Sequence, residues 1–343
     1  MTENAFFNPH PKMAPQELKR HLFSQIGKEK VLDDLQKMLL IRHFDIRGES
    51  AYQQGLVGGF YHSSMGQEAI AVAALRAFGS NNWFSATYRC HALALLLGPT
   101  PNEIMAELYG KETGIAKGRG GSMHLFADRL LGGFAIVGGH LPVAAGAAFS
   151  NKYLKKKDEL SICFLGDGAV AQGAFHEALN LASLWSLPVI YIIENNQWGM
   201  GTNVKRAISF ERIAEKQANA YGLSGYTLNG MDYFNSYAGF EHIEKEVKAT
   251  GKPVLVECLC ERFRGHSISD PALYRSKEEL QKSMEKDPIL MLRSFLQEEG
   301  ILSEKAFKEM DAAQKERVVA AMKFAEESPF PALTTLEEDV YAP

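Results

Sequence analysis

The chain has little cysteine, no excess of positive charge and no long apolar run, and each shortage closes off a class of function. Its four cysteines, Cys90, Cys163, Cys258 and Cys260, lack metal-ligand spacing and are too sparse for a disulfide scaffold in 343 residues. They read as reduced, buried thiols, as in a cytosolic protein. A net charge of −4 gives neither nucleic acid nor an anionic membrane surface anything to hold. No apolar stretch approaches the roughly 20 residues of a membrane span. Met1-Thr-Glu-Asn-Ala-Phe-Phe7 lacks the basic and apolar regions of a secretory signal, so the expected setting is cytoplasmic. No Gly-Lys-Ser or Gly-Lys-Thr is present to end a phosphate loop. Dinucleotide binding needs a glycine-rich turn directly after a strand, and Lys117-Gly-Arg-Gly-Gly-Ser122 follows no convincing strand. Internal repeats and low-complexity segments are absent as well.

What is present is an ordinary globular composition, 46% hydrophobic and 23% charged, long enough to bury a substantial core. The most informative stretch is an apolar run, Ser161–Leu165, closed by Gly166-Asp167-Gly168, and a second, Val189–Ile193, closed by Asn195-Asn196. A helical pattern from about Gly173 to Trp185 separates them. A strand, a crossover helix and a strand make the strands parallel, so both carboxyl ends emerge at one sheet edge. Asp167 and Asn196 then offer side-chain oxygens to one point, as a hard cation with phosphate ligands requires. Each motif alone is a common turn, and Asp167 alone could cap a helix; the pairing is the specific signal.

The remaining pattern predicts a mainly parallel, doubly wound α/β domain with helical additions at both ends. Residues 1–27, polar and broken by prolines, read as an arm, and 28–343 as a single domain. Helices are expected at 28–47, 66–78, 102–109 and 141–155, then near 210–221 and over 233–248. Short strands are expected at 226–228 and 253–260. Residues 110–140 are glycine-rich and aperiodic, and within them Lys117-Gly-Arg-Gly-Gly-Ser-Met-His124 is a loop whose backbone could approach a ligand closely. A basic loop follows at 261–275, and helices over 276–327 divide near Asp287-Pro288 and Gly300.

Gly166-Asp-Gly-Ala-Val-Ala-Gln-Gly173 through Ile193-Glu-Asn-Asn-Gln-Trp-Gly-Met-Gly-Thr202 resembles the thiamine diphosphate motif. The fuller resemblance is to alpha subunits of pyruvate dehydrogenase first components, within the 2-oxoacid and acetoin dehydrogenase family. It runs from about residue 30 to the end and includes six motifs in family order. They are Gly58-Gly-Phe-Tyr-His62, Met65-Gly-Gln-Glu-Ala69, Thr87-Tyr-Arg89, Gly120-Gly-Ser-Met-His124, Ile136-Val-Gly138 and Gly265-His-Ser-Ile-Ser-Asp-Pro271.

The resemblance implies thiamine diphosphate and magnesium as cofactors. Asp167, Asn196 and the carbonyl of Trp198 match the metal ligands; many relatives have tyrosine at the last position, which a backbone ligand tolerates. Tyr88, Arg89 and Arg262 match diphosphate contacts, where arginine's planar fork suits phosphate oxygens. Gly168 and Ala169 are expected at the start of the following helix, with free amides toward the anion. Ala127, Ala135 and Val137 fall on positions lining the cofactor. Relatives often carry glycine where Ala135 stands. Val137 matches the apolar residue that bends it. His62 and His266 match histidines at the substrate pocket and on a mobile loop, although either alone would more often be structural. His124 reads as scaffold, while His91, His140 and His176 have no assigned role. Ser267 matches a position phosphorylated in mitochondrial relatives. The loop is shorter here, with Ala272-Leu-Tyr-Arg275 where those relatives have a second serine, and no such regulation is expected.

The implied reaction is oxidative decarboxylation of pyruvate with transfer of the acetyl unit to a lipoyl group. Acetoin and branched-chain 2-oxoacid relatives share the cofactor site, but the motifs around His62, Tyr88 and Gly120 look closer to pyruvate enzymes. A catalytically dead scaffold would lack metal ligands, which this chain has. One α/β domain is half of what thiamine chemistry needs. In the family the activating glutamate comes from a beta subunit, which implies a tetramer of two alpha and two beta chains working with a lipoyl-bearing acyltransferase.

Overall fold

The computed structural model describes residues 6–338 and Val340. The chain enters through α1 (Pro15–Ile26), α2 (Lys28–Gln53) and α3 (Glu68–Phe78). It continues through β1 (Trp83–Thr87), α4 (His91–Leu96), α5 (Pro101–Leu108), β2 (Leu130–Phe134) and α6 (Leu141–Tyr153). Next come β3 (Ser161–Gly166), a 3-10 turn (Asp167–Ala171), α7 (Gly173–Leu184) and β4 (Val189–Asn195). The hairpin β5 (Trp198–Gly199) and β6 (Thr202–Asn203) leads into α8 (Val204–Ala207), α9 (Ile213–Ala220), β7 (Ser224–Asn229), α10 (Tyr233–Thr250) and β8 (Val254–Leu259). Three helices, α11 (Lys277–Met284), α12 (Pro288–Glu298) and α13 (Glu304–Glu327), follow.

Six strands form one wholly parallel sheet in the order β2-β1-β3-β4-β8-β7. The central strands are apolar on both faces, as a sheet covered on both sides demands. Ile162, Phe164, Ile190, Ile192, Val254 and Val256 pack with α2, α3 and α10. Their alternates Cys163, Leu165, Val189, Tyr191, Ile193 and Leu255 pack with α6, α7 and α9. This is the expected doubly wound architecture. All four cysteines are buried and free. Among the described residues no helix is long and apolar enough to cross a membrane.

Three local differences from the expected pattern have physical causes. Residues 15–26, within the segment read as an arm, form a helix absent from the expected pattern: Pro15 occupies its first turn, where a missing N–H costs nothing, and Leu18, Leu22 and Ile26 bury one stripe against α2 and α10. The glycine-rich stretch contains an edge strand, β2, recruited by pairing with β1. Finally, Gly168 and Ala169 lie in the 3-10 turn, one turn ahead of α7, which starts only at Gly173.

From β1 the chain winds outward to β2, then returns across β1 to build β3 and β4. The sheet therefore has its switch point between β1 and β3. A crevice opens outside the strand ends there, where ligands bind in open α/β sheets.

Candidate active site

A cavity of about 320 Å³ occupies that crevice. Tyr88 and Arg89 reach it from the end of β1, Val137 and His140 from the segment after β2, and Asp167 from the end of β3. Glu194 and Asn196 come from the end of β4, Trp198 and Met200 from the hairpin, and His266 from the loop after β8. Residues far apart in sequence meet because every parallel strand delivers its carboxyl end to the same edge.

Asp167 is 3% exposed, and no basic side chain among the described residues pairs with it. Burial pushes its carboxyl up to about 6, against the opposing field of Arg262 and Arg89. Asn196, also buried, offers Nδ2 to Gln67 Oε1 at 3.4 Å, and its Oδ1 accepts from Trp198 N at 3.2 Å. The neighbouring Gln67 Nε2 is buried without a partner. An unpaired carboxyl and a neighbouring carboxamide oxygen are donors of the kind a small hard cation takes, beside Trp198, whose carbonyl accepts from Arg262 at 3.3 Å.

Arg89 donates from Nη1 to Ser63 O at 2.5 Å and from Nη2 to His266 O at 2.7 Å. It thereby ties the two histidine-bearing loops to the end of β1. Arg262 lies behind the cavity wall, fully buried. It donates to Arg264 O, to Trp198 O at 3.3 Å, to Met200 O at 3.1 Å and to the Tyr274 hydroxyl at 2.5 Å. Burial pulls its pKa down to about 10. Tyr274 in turn donates to Asp270, which also accepts from His266 N at 2.6 Å, so the basic loop is knotted around Arg262.

His62 and His266 pack edge to face at 4.9 Å, with Tyr88 4.3 Å from His62. Burial first, and then the positive field of Arg89, lowers His62 to about 2 and His266 to about 4. Both rings are neutral at pH 7. Neutral imidazole favours the fold only while it stays neutral, so this contribution is full above about pH 6.5 and is lost as pH falls toward the lowered values. The melting temperature of the wild type is thus expected to fall between pH 6.5 and 4 more steeply than that of His266→Gln. Parallel profiles would remove the histidine from the acid response.

Val137 lines the cavity and is 42% exposed, whereas Ala127 and Ala135 stand outside its wall. Gly168 and Ala169 form the floor. Of the unassigned histidines, only His140 borders the cavity; His176 Nδ1 meets the Tyr221 hydroxyl at 2.8 Å, and His91 is buried between Asp45 and Ser122. His140 Nε2 lies 2.7 Å from Phe164 O, and burial lowers its pKa. His124 is exposed, with Nδ1 3.0 Å from Gly120 O. Ser267 is buried, its hydroxyl 2.9 Å from that of Ser269.

Two acids missed in the sequence shape the surroundings. Asp45 of α2 accepts from Tyr61 Oη at 2.8 Å, Ser63 Oγ at 3.2 Å, and Ser64 N and Oγ at 2.6 and 2.7 Å, gripping the chain on both sides of His62. Burial would raise its pKa, but His91 and these donors outweigh that and hold it low. Glu107 of α5 is buried and gathers four backbone amides of the glycine-rich loop. They are Ala116 (2.8 Å), Gly118 (2.9 Å), Gly120 (2.6 Å) and Gly121 (3.2 Å). The loop expected to approach a ligand instead wraps a carboxylate of its own chain. A buried acid within the apolar run of α5 was the available signal. A third acid, Glu194, stands in the cavity wall, and burial pushes its carboxyl up to about 7.

Residues 36–334 match the family described as Dehydrogenase E1 component. Among similar proteins is the pyruvate dehydrogenase E1 component subunit alpha of Rickettsia bellii (strain RML369-C), 42% identical over 316 residues, covering 92% of this chain and 96% of the relative. The protein of the same name from Rhizobium meliloti (strain 1021) is 37% identical over 332 residues, covering 96% and 95%. That from Porphyra purpurea is 38% identical over 325 residues, covering 92% and 94%. With the match spanning nearly the whole chain and the site at the sheet's switch point, this protein belongs to the dehydrogenase E1 component family.

Proposed function

We propose that the chain is the alpha subunit of a thiamine diphosphate-dependent pyruvate dehydrogenase, which decarboxylates pyruvate oxidatively and passes the acetyl unit to a lipoyl group. The observation carrying this reading is the buried, unpaired Asp167 carboxyl facing the same cavity as Asn196 and Trp198. Such a carboxyl calls for a cation, and its oxygen neighbours fit magnesium with diphosphate oxygens completing the shell.

Asp167, Asn196 and the Trp198 carbonyl are the groups that would hold the metal. Tyr88 and Arg89 would face the diphosphate, with Gly168 and Ala169 of the 3-10 turn lining the same cavity. Arg262 adds positive charge from behind and braces the hairpin through the Trp198 and Met200 carbonyls. Ala127 and Ala135 flank β2, which leads to Val137, whose side chain would give the cofactor an apolar wall. When bound, thiamine diphosphate supplies a sink for the electron pair left as carbon dioxide departs. The chain contributes proton control: His62 and His266, neutral and adjacent, donate to or accept from substrate oxygens. An anion against Arg89 offsets the field that depresses both rings.

The site is open where a partner would close it. Ile136, Val137 and Met200 are exposed at or beside the cavity. On α6 and α7, Phe149, Tyr153, Leu184 and Trp185 form a continuous exposed apolar face, with Phe149 5.8 Å from Trp185. Such a patch marks a protein interface. A beta subunit would cover it and supply the missing activating carboxylate. The assembly is two alpha and two beta chains, working with a lipoyl-bearing acyltransferase.

Co-expression with the beta partner, followed by decarboxylation assays on pyruvate and branched 2-oxoacids and by acetoin cleavage, tests the substrate. Pyruvate is expected to lead in kcat/KM by at least about tenfold, the discrimination that a methylene or two of pocket space provides. A preference for branched acids or acetoin would refute the pyruvate assignment.

A further inference from the structure

Glu257 sits within β8, 1% exposed, and no lysine or arginine among the described residues pairs with it. A buried acid needs other partners. Its Oε1 accepts from Asn195 Nδ2 at 2.6 Å, and its Oε2 accepts from Ala214 N at 3.4 Å in the first turn of α9. Glu257 borders a second cavity, of about 790 Å³, on the far side of the turn that follows β4. That turn alternates between the two spaces. Asn195 and Gln197 border the larger cavity, Asn196 and Trp198 the smaller. Glu257 therefore borders the larger cavity and not the one that Asp167 and Asn196 line.

Both Glu257 oxygens act as acceptors, so the side chain dictates which way the Asn195 carboxamide points. With the amide nitrogen toward Glu257, Asn195 Oδ1 accepts from Gln197 N at 3.0 Å and Gln197 Nε2 at 2.9 Å. Gln197 has φ +70, a left-handed conformation that a side chain such as this keeps only when held. Immediately beyond it, Trp198 N donates to Asn196 Oδ1. The orientation of one carboxamide thus decides the shape of the whole turn.

We propose that Glu257 is a positioning residue of the metal-diphosphate site, acting through Asn195 to hold the turn so that Asn196 and Trp198 border the cavity. This rests on the cofactor reading above. The test is a titration of magnesium at fixed thiamine diphosphate, and the reverse, on the chain assembled with its beta partner. Intrinsic tryptophan fluorescence is the readout, since Trp198 lies in the turn. Glu257→Ala and Asn195→Ala are each expected to raise the apparent Kd about 10–100-fold, the usual cost of losing an orienting contact behind a ligand. The double variant should be no weaker than either single one, because both act on one turn. At saturating cofactor, KM for the oxoacid stays unchanged. Glu257→Gln, which keeps one accepting oxygen, falls between and replaces Glu257→Ala if the latter does not assemble. An unchanged Kd in Glu257→Gln and Asn195→Ala, with only a lower melting temperature, would make Glu257 a packing residue and overturn the proposal. A wild-type chain that binds no magnesium-thiamine diphosphate would sink the cofactor reading itself, and the wild-type control separates the two failures.

Discussion

Asp167→Ala is expected to abolish magnesium-dependent thiamine diphosphate binding, weakening it by well over the roughly 100-fold typical of a residue behind the ligands. The carboxylate is the one anionic group that the chain itself contributes to the proposed donor set. Asp167→Asn separates charge from shape, because it keeps an oxygen in place and removes the buried charge. An unpaired buried charge is destabilising, so the cofactor-free Asn variant should melt no lower than wild type, with a gain on the order of 1 kcal/mol or more. Calorimetric titration with cofactor and thermal melts without it give the two readings. Binding that survives in both variants would refute the metal assignment, and a collapsed melt would make Asp167 a structural residue.

Glu107→Ala should be the most disruptive substitution away from the cavity. Four amides of residues 116–121 lose their acceptor together, and at roughly 1–3 kcal/mol for each buried donor, partly offset by water entry, the expected cost is about 4 kcal/mol. Glycines pack the loop closely around the carboxyl: a Cβ on Gly114 would lie 2.4 Å from Glu107 Oε2, so the loop cannot simply slide to new partners. Glu107→Gln keeps one acceptor oxygen but turns an N–H2 group toward two amides, for roughly half the loss. The loop also carries Lys117 and Arg119. Limited trypsin digestion of the assembled protein should therefore cut there much faster in the variants, alongside a lower Tm. Cleavage at the wild-type rate would show that the loop holds its shape without the carboxylate.

The centre of the molecule was legible because its signals are local. Continuous apolar runs ending in Gly166-Asp-Gly168 and Asn195-Asn196 are strands whose neighbours need not be known. Contacts made at long range left fainter marks. Leu130–Phe134 contains two glycines and no β-branched residue, and its strand identity comes from pairing with β1. Gly133 is there because a Cβ would come within 2.4 Å of Cys90 Sγ, which no local pattern reveals. Helix α1 was readable from Leu18, Leu22 and Ile26 but was obscured by the prolines before it. The buried acids Asp45, Glu107 and Glu257 look like any helix or strand carboxyl until the amides they gather come from elsewhere in the chain. Asp167, Asn196, Tyr88, Arg89 and Val137, singled out in the sequence, border the cavity, whereas the acids that hold the surrounding loops in place left no mark there.

The sheet order also governs when the protein can come into being. The last strand to leave the ribosome, β8, is not an edge strand but lies between β4 and β7. Until it arrives, β7 has no partner and β4 has a bare edge, each a target for unwanted pairing. The same late segment delivers Glu257, Arg262 and His266. Sheet closure and site assembly are therefore one event, and a nascent chain stopped short of it has neither a finished core nor half a catalyst.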